Sequence, residues 1–500
     1  MTLSVWHILG ILLTLVLIAG VSAYSGKKVK SASDFSTGGG KAGSLIVAGT
    51  IMGTLVSGQA TIGTAQLAFT FGMSAWWFTL GSGIGCLILA LGYAKSLRHS
   101  GQTTLLGVIS AEYGRGAGYT GSVLSSLGIF FSMISQMLAC TALLTAIFPI
   151  NALVALLISI TLMAVYVIFG GVWGAGMGGV VKLVLLYVAC GVGAVIVISL
   201  AGGFDGLMDT LRSLFSGTPL GELSGIKTDA DVSDRFTSLI ARGAGKDIGS
   251  GLSLLLGVLS TQTYAQAIWS AKTDKAAKRG ALISALLIPP IGIACILIGL
   301  YMRGNYITSD EIQALLTAGQ AIPEGLKEIA SASQAFPMFI LNHVPKLLGG
   351  IVLGTLLITI VGGGSGLSLG VATIAVNDII KKLTRKLDEP KKALLATRIA
   401  IVIALFAAAA VAFAVPGAII NDFGFLSMGL RGAVVFIPLS YALFLKGRVD
   451  SRCVFASIIA GPVTVLLGNL LSLPFDSLFL GMAVCVLCVA VSAFIPKKKL

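Results

Sequence analysis

Apolar stretches of about 20 residues recur along the whole chain, and no other feature limits its fold so tightly. Of its 500 residues 56% are hydrophobic and 11% charged, whereas soluble domains run near 25% charged. A mean hydropathy of +0.97 agrees. The length would allow about three soluble domains of roughly 150 residues, but no soluble core needs this much apolar side chain. The composition therefore predicts an all-α polytopic membrane protein with the lipid bilayer as its main partner, and excludes soluble enzymes and disordered scaffolds.

Hydropathy places thirteen spans, at 3-25, 44-71, 75-96, 120-148, 150-169, 177-201, 248-270, 281-302, 347-376, 395-415, 422-446, 452-472 and 476-496. The first ends in Val21-Ser22-Ala23, which would pass for a signal-peptidase site. No Lys or Arg precedes it, however, and Lys27, Lys28 and Lys30 follow, an order that favours an uncleaved span with its N-terminus outside. The C-terminus is then cytoplasmic. On this topology the inside segments contain 24 Lys+Arg against 7 Asp+Glu and the outside segments 8 against 13. The two remaining cations, Lys182 and Arg431, fall within spans. Basic loops such as Lys272 to Arg279 and Lys381 to Lys392 thus read as orientation signals beside anionic lipid, not as a nucleic-acid surface. The localisation expected is the cell (plasma or inner) membrane.

Two spans are unusually polar: GTIMGTLVSGQATIGTAQ (Gly49 to Gln66) and GVLSTQTYAQA (Gly257 to Ala267). Close packing through small residues explains their glycines, as in Gly49-xxx-Gly53, but not their glutamines. The two stand five spans apart, each opening a block of five, and blocks with an odd number of spans insert in opposite orientations. That is the pattern of inverted repeats whose discontinuous helices build a solute site near mid-membrane. The division expected is a leading helix and loop (1-43), a first repeat (44-201), an external loop (202-247), a second repeat (248-446) and two trailing helices with a basic C-terminus (447-500). Candidate solute-binding residues are Ser57, Gln59, Gln262, Tyr264 and Gln266, with Ser132, Ser135 and Gln136 on span 4.

The stretch TQTYAQAIWSAKTDKAAKRGALISA (Thr261 to Ala285) resembles the signature after the seventh span of the sodium/solute symporter family. SASDFSTGGG (Ser31 to Gly40), YVIFGGVWGAG (Tyr166 to Gly176) and VATIAVNDIIKK (Val371 to Lys382) match in place and order. The resemblance covers nearly the whole chain and implies the five-plus-five inverted-repeat fold of the leucine-transporter type, with one leading helix and two trailing ones. It also implies a sodium site of backbone carbonyls on span 2, here Gly53 and Val56, a carbonyl on span 9, here Thr359, and two adjacent span 9 hydroxyls. At the hydroxyl positions this chain has Gly362 and Gly363. On span 6 the family's Trp-Thr-Asp run, followed three residues later by Gln, is replaced by Met177-Gly178-Gly179 and Lys182.

Sodium needs hard oxygen ligands, so these departures put sodium coupling in doubt. A charged lysine in a span costs about 2.5 to 3.5 kcal/mol on insertion scales and needs a partner, water or an exit. One reading puts the Lys182 ammonium where sodium would sit, as in some proton-coupled amino-acid transporters of the related fold; burial disfavours the charged form, so such a lysine would load and release a proton. Coupling would then be proton-linked or absent. On the other reading Lys182 snorkels to the headgroups and the chain is an ordinary sodium symporter with atypical ligands.

Arg431 lies roughly 13 Å along its helix from the nearest acid there, Asp422, at about 1.5 Å per residue. A guanidinium on this helix favours a carboxylate-bearing solute through bidentate hydrogen bonds. The alternative is an ion pair with an outer loop or a partner helix.

The remaining signals carry less. Seven scattered cysteines, Cys485-xx-Cys488 included, read as small core residues. His7, His99 and His343 have no metal-ligand spacing, and Gly174-x-Gly176-xx-Gly179 follows an apolar span and not a β-strand. Pro289-Pro290 reads as a kink whose freed backbone groups neighbours satisfy. No intramembrane nucleophile or acid pair suggests an enzyme, and no cofactor is expected. The sequence thus describes a secondary transporter for a small organic solute, with a transporter-like membrane sensor as the rival class.

Overall fold

A computed structural model describes residues 3–26, 40–170, 177–376 and 390–494. Most of SASDFSTGGG, the end of YVIFGGVWGAG, the chain from Asn377 to Glu389 and the C-terminal lysines lie outside the described residues. The helices that follow are α1 (Val5–Gly26), α2 (Ser44–Leu55), α3 (Thr64–Phe71), α4 (Trp77–Ile88), α5 (Arg115–Ile147), α6 (Ala152–Gly170) and α7 (Met177–Ala201). After a polar segment come α8 (Ala244–Ser260), α9 (Gln262–Ser270), α10 (Asp274–Asn305), α11 (Lys346–Ile374), α12 (Pro390–Ala414), α13 (Ile420–Phe444), α14 (Ser451–Leu470) and α15 (Leu478–Ala490). Among the described residues eight helical runs are long and apolar enough to cross a membrane, and four shorter apolar helices accompany them.

The two polar stretches are where the helices break. One apolar run is divided into α2, a π-helical turn at Gln59–Gly63 and α3. The other is divided at Thr261 into α8 and α9. At about 1.5 Å per residue the 12 residues of α2 reach some 18 Å, short of the roughly 30 Å hydrocarbon layer. Each break therefore falls at depth, where its loose backbone groups must find partners inside the protein.

α10 stays helical through Pro289 and Pro290. Donors from its neighbours meet the carbonyls there: Trp76 Nε1 donates to Pro289 O at 3.0 Å, and the Tyr187 hydroxyl donates to Leu287 O. On the face carrying segments 202–247 and 303–346 lie short capped helices and a parallel pair of strands, β1 (Tyr306–Thr308) and β2 (Lys327–Ile329). Arg303 joins the face to the bundle. Its guanidinium pairs with both Glu311 oxygens, at 2.6 and 2.9 Å, and lies over the rings of Phe69 and Phe215.

The leading helix docks on the second repeat, against α11. Its seat is made of glycines: a Cβ on Gly10 would lie 2.7 Å from Ile351 N, and one on Gly354 3.0 Å from Ile11 Cα. Thr14 Oγ1 donates to Ile351 O at 3.2 Å across the contact. A side chain at Gly350, which packs on the His7 backbone, should force α1 away at the overpacking cost of about 1–3 kcal/mol. Gly350→Leu is expected to lower the thermal unfolding midpoint in detergent, and Gly366→Leu, with open space around its Cβ position, to leave it nearly unchanged.

Candidate functional site

The break after α2 exposes carbonyl oxygens. Val56 N still reaches Met52 O at 2.8 Å, but Val56 adopts φ −81°, ψ 89°, and among the described residues no backbone amide takes Gly53 O. Hydroxyls and a π-type bond satisfy the next groups: Thr61 Oγ1 donates to Ser57 O at 3.0 Å, Gly63 N to Gly58 O at 2.9 Å and Thr64 Oγ1 to Gln59 O at 3.2 Å. The free C-terminal end of a helix carries partial negative charge and favours a cation.

Lys182 supplies that cation. Its Nζ donates to Gly53 O at 2.6 Å, and the residue is 8% exposed, so it turns inward and does not snorkel. The register follows from glycine. α7 meets α2 backbone to backbone, since a Cβ on Gly179 would lie 2.6 Å from Gly49 O; one turn further along both helices brings Lys182 onto Gly53. On α11 the Thr359 hydroxyl is buried without a partner. The atoms nearest the absent side chains of Gly362 and Gly363 belong to Tyr166 and Gln136, at 3.8 and 3.6 Å, not to Lys182.

Arg431 makes the second buried cation, 5% exposed. Nε donates to Ser427 O at 3.2 Å, Nη1 to Thr261 Oγ1 at 3.0 Å, and Nη2 to Ser132 Oγ at 2.9 Å and Ser427 Oγ at 2.6 Å. Thr261 Oγ1 in turn donates to Gly257 O at 2.7 Å, which ties the guanidinium to the end of half-helix α8. Gly128 makes the approach possible, because a Cβ there would be 2.9 Å from Arg431 Cγ. All these acceptors are neutral. Asp422, the acid on the same helix, pairs instead with Arg242 at 2.9 Å, and Arg242 also holds the fully buried Asp247 at 2.6 Å.

One face of α5 connects the two centres. Ser132 belongs to the Arg431 cluster, Ser135 Oγ donates to Ile420 O at 2.9 Å, and Gln136 Nε2 donates to Ser57 Oγ at 3.1 Å at the first break. Gln136 Oε1 and Gln59 Nε2 are buried and find no partner among the described residues, and the same holds for Ser260 Oγ at the second break. A buried polar atom left unpaired costs about 1–3 kcal/mol. Tyr264 is buried on α9 and Gln266 half-buried. Gln262 points elsewhere: its amide accepts from Leu105 N at 2.9 Å and donates to Thr103 O at 3.2 Å, fastening α9 to the 103–105 backbone between α4 and α5. The sequence reading missed Ser427 and Thr261. The first was marked by its place four residues before Arg431, the second by its place at the head of the polar motif.

Contacts on both sides enclose this region. Toward the basic loops, Ala42 pairs with the 270–272 backbone at 2.9 Å, and Arg98 holds Asp274 at 2.7 Å. Toward the opposite face, Gln66 clasps Ala418 O and Ile420 N at 3.0 and 2.9 Å, and Asn421 Nδ2 donates to Thr64 Oγ1 at 3.4 Å. Between these contacts lie the two buried basic side chains, Lys182 and Arg431.

Known proteins share this architecture. The solved structure of a Na+-coupled sialic acid symporter superposes with a TM-score of 0.70 over 99% of both chains at 17% identity. Mhp1, a nucleobase-cation-symport-1 family transporter, gives 0.52 over 91% of this chain and 92% of its own at 12% identity. Among sequences, the uncharacterized symporter YwcA of Bacillus subtilis is 24% identical over 74% of this chain and 68% of its own length. The high-affinity choline transporter 1 of Caenorhabditis elegans is 24% identical over 93% of this chain and 79% of its own. These neighbours have the leucine-transporter-type fold and are transporters, not enzymes. The sodium:solute symporter family model matches residues 35–461, so the chain belongs to that family, as a multi-pass membrane transporter of solutes.

Proposed function

We propose that this transporter carries a small carboxylate-bearing solute by alternating access, with Arg431 as the partner of the carboxylate and Lys182 as a tethered cation in place of coupling sodium. The observation that carries the reading is the 2.6 Å bond from Lys182 Nζ to Gly53 O. A carbonyl at the family's sodium position already has a cation, and the neighbouring hydroxyl positions are the glycines Gly362 and Gly363. Sodium held there would lack the two hydroxyl oxygens and would compete with an ammonium. Coupling then runs through the proton on Lys182, taken up when the α2 end is within reach and released when α2 and α7 part.

Arg431 supports the solute class. A guanidinium buried among neutral hydroxyls retains its charge demand, and a carboxylate meets it with charge-assisted bonds of about 1.5–3 kcal/mol. A cationic passenger, such as the choline of the worm relative, would be repelled. Ser57, Gln59, Gln136, Tyr264 and Gln266 contribute polar contacts, and Gln262 serves the gate on the basic side. With the N-terminus outside, segments 202–247 and 303–346 face the exterior and solute enters from there.

Three outcomes test this reading. In proteoliposomes without sodium, an inward proton gradient should drive accumulation of the solute found by thermal-shift screening of monocarboxylates, amino acids, sugars and vitamins. A membrane sensor would show stabilisation without accumulation. Lys182→Ala should lose the pH-driven component at least tenfold while solute exchange at equal pH persists; dependence of wild-type uptake on sodium would reject the coupling. Arg431→Gln should weaken the carboxylate solute by about 10- to 100-fold, the equivalent of about 1.5–3 kcal/mol. An unchanged KM in that variant would remove Arg431 from the solute site.

A further inference from the structure

A cavity of ≈ 300 Å³ opens on the face of segments 202–247 and 303–346, at the end of α3 and just before α13. Its lining mixes apolar groups, Phe71 and Ala332 among them, with the charged Arg235, Arg303, Asp310 and Glu311. Arg303 and Glu311 neutralise one another there through their bidentate pair. Two charges of opposite sign remain. Arg235 lies 4.8 Å over the Phe71 ring and donates to Ser224 O at 2.9 Å, but among the described residues it makes no ion pair with a carboxylate. Burial, and then the nearby Arg303, push its guanidinium down from the ordinary value, a strain that an anion would relieve. Asp310 lines the same cavity, exposed and without a cationic partner among the described residues.

We infer that this cavity is a second binding site, an outer loading site for a zwitterionic solute of the amino-acid class. Arg235 takes the carboxylate, Asp310 the ammonium, and the half-buried Phe71 and Ala332 the apolar body. A plain anion would leave Asp310 as a repulsive neighbour, and a plain cation would meet Arg235. The inference rests on the carboxylate reading of the passenger and narrows it.

The position suits loading. From Phe71 back to Gln59 is about 18 Å at 1.5 Å per residue, and α3 along this stretch packs on α13, the helix that carries Arg431. The bonds from Gln66 to Ala418 and Ile420, and from Asn421 to Thr64, join the two. A solute held outside them is poised beside the gate without contacting either buried cation.

Equilibrium dialysis of the purified full chain, with radiolabelled mixed protein amino acids as the probe and sodium absent, tests the site. Saturable binding should fall by about half in Arg235→Gln and in Asp310→Asn, and by about half again when either is combined with Arg431→Gln. Acetate and tetramethylammonium should displace little from the Arg431→Gln protein. Both single rim substitutions lie at a partly exposed surface, so a folding failure of the Arg431 variant leaves them informative. Wild-type binding that neither rim substitution changes would overturn the outer site while keeping the carboxylate reading, provided Arg431→Gln abolishes it. No amino-acid binding to any protein would overturn the zwitterion site, and stabilisation of wild type by a monocarboxylate would still support the central reading. Equal displacement by acetate would overturn the zwitterion class.

Discussion

Backbone groups in hydrocarbon must be bonded within the protein, and the two broken helices raise that demand where the chain can least meet it with water. The break after α2 frees a row of carbonyls, which the chain satisfies in three ways. Threonine hydroxyls one turn on bond back to Ser57 O and Gln59 O, a π-type bond takes Gly58 O, and an ammonium from another helix takes Gly53 O. The second break is treated alike: Thr261 returns its hydroxyl to Gly257 O and at the same time accepts from Arg431. Lys182 thus bonds a carbonyl freed at the negative end of a half-helix, whereas Arg431 reaches the second such end only through the Thr261 hydroxyl.

Neither cation would reach its place across ordinary helix separations. Gly49 against Gly179 lets α2 and α7 touch, and the next turn then carries Lys182 to Gly53. Gly128 lets α13 lie close on α5, and Ser132 then meets Arg431. Small residues act here through contact geometry, with no hydrophobic drive between helices that lipid would not equally supply. A β-carbon at Gly179 or Gly128 would separate donor from acceptor by more than a hydrogen bond tolerates.

This separates what the sequence could reveal from what it could not. Apolar length is a property of single segments, so the polytopic helical architecture was readable. So were the breaks, because glutamine and threonine inside an apolar run have no local reason to be there. Lys182 and Arg431 stood out for the same cause. Direction was not readable: Gln262 and Gln266 stand four residues apart on one short helix, yet Gln262 turns to the Thr103–Leu105 backbone. Nor was the docking of the leading helix on α11, which depends on glycines more than three hundred residues away in sequence. Beside the Gly362 and Gly363 pair on α11 the nearest atoms belong to Tyr166 and Gln136, not to Lys182.

The two cations also bear on one another. Each is buried, neither has a carboxylate within ion-pair distance among the described residues, and a low-dielectric interior screens them poorly. An anion arriving at Arg431 removes part of the positive field that Lys182 experiences, and a proton leaving Lys182 lowers the field that holds the anion. Linkage makes these two statements one coupling free energy, felt equally from either side. The face of α5 that carries Ser132 to Arg431 and Gln136 to Ser57 gives the two centres a common rigid support. On the proposed reading of an anionic solute and a proton on Lys182, charge balance favours loading the two together and releasing them together, with no direct contact between them.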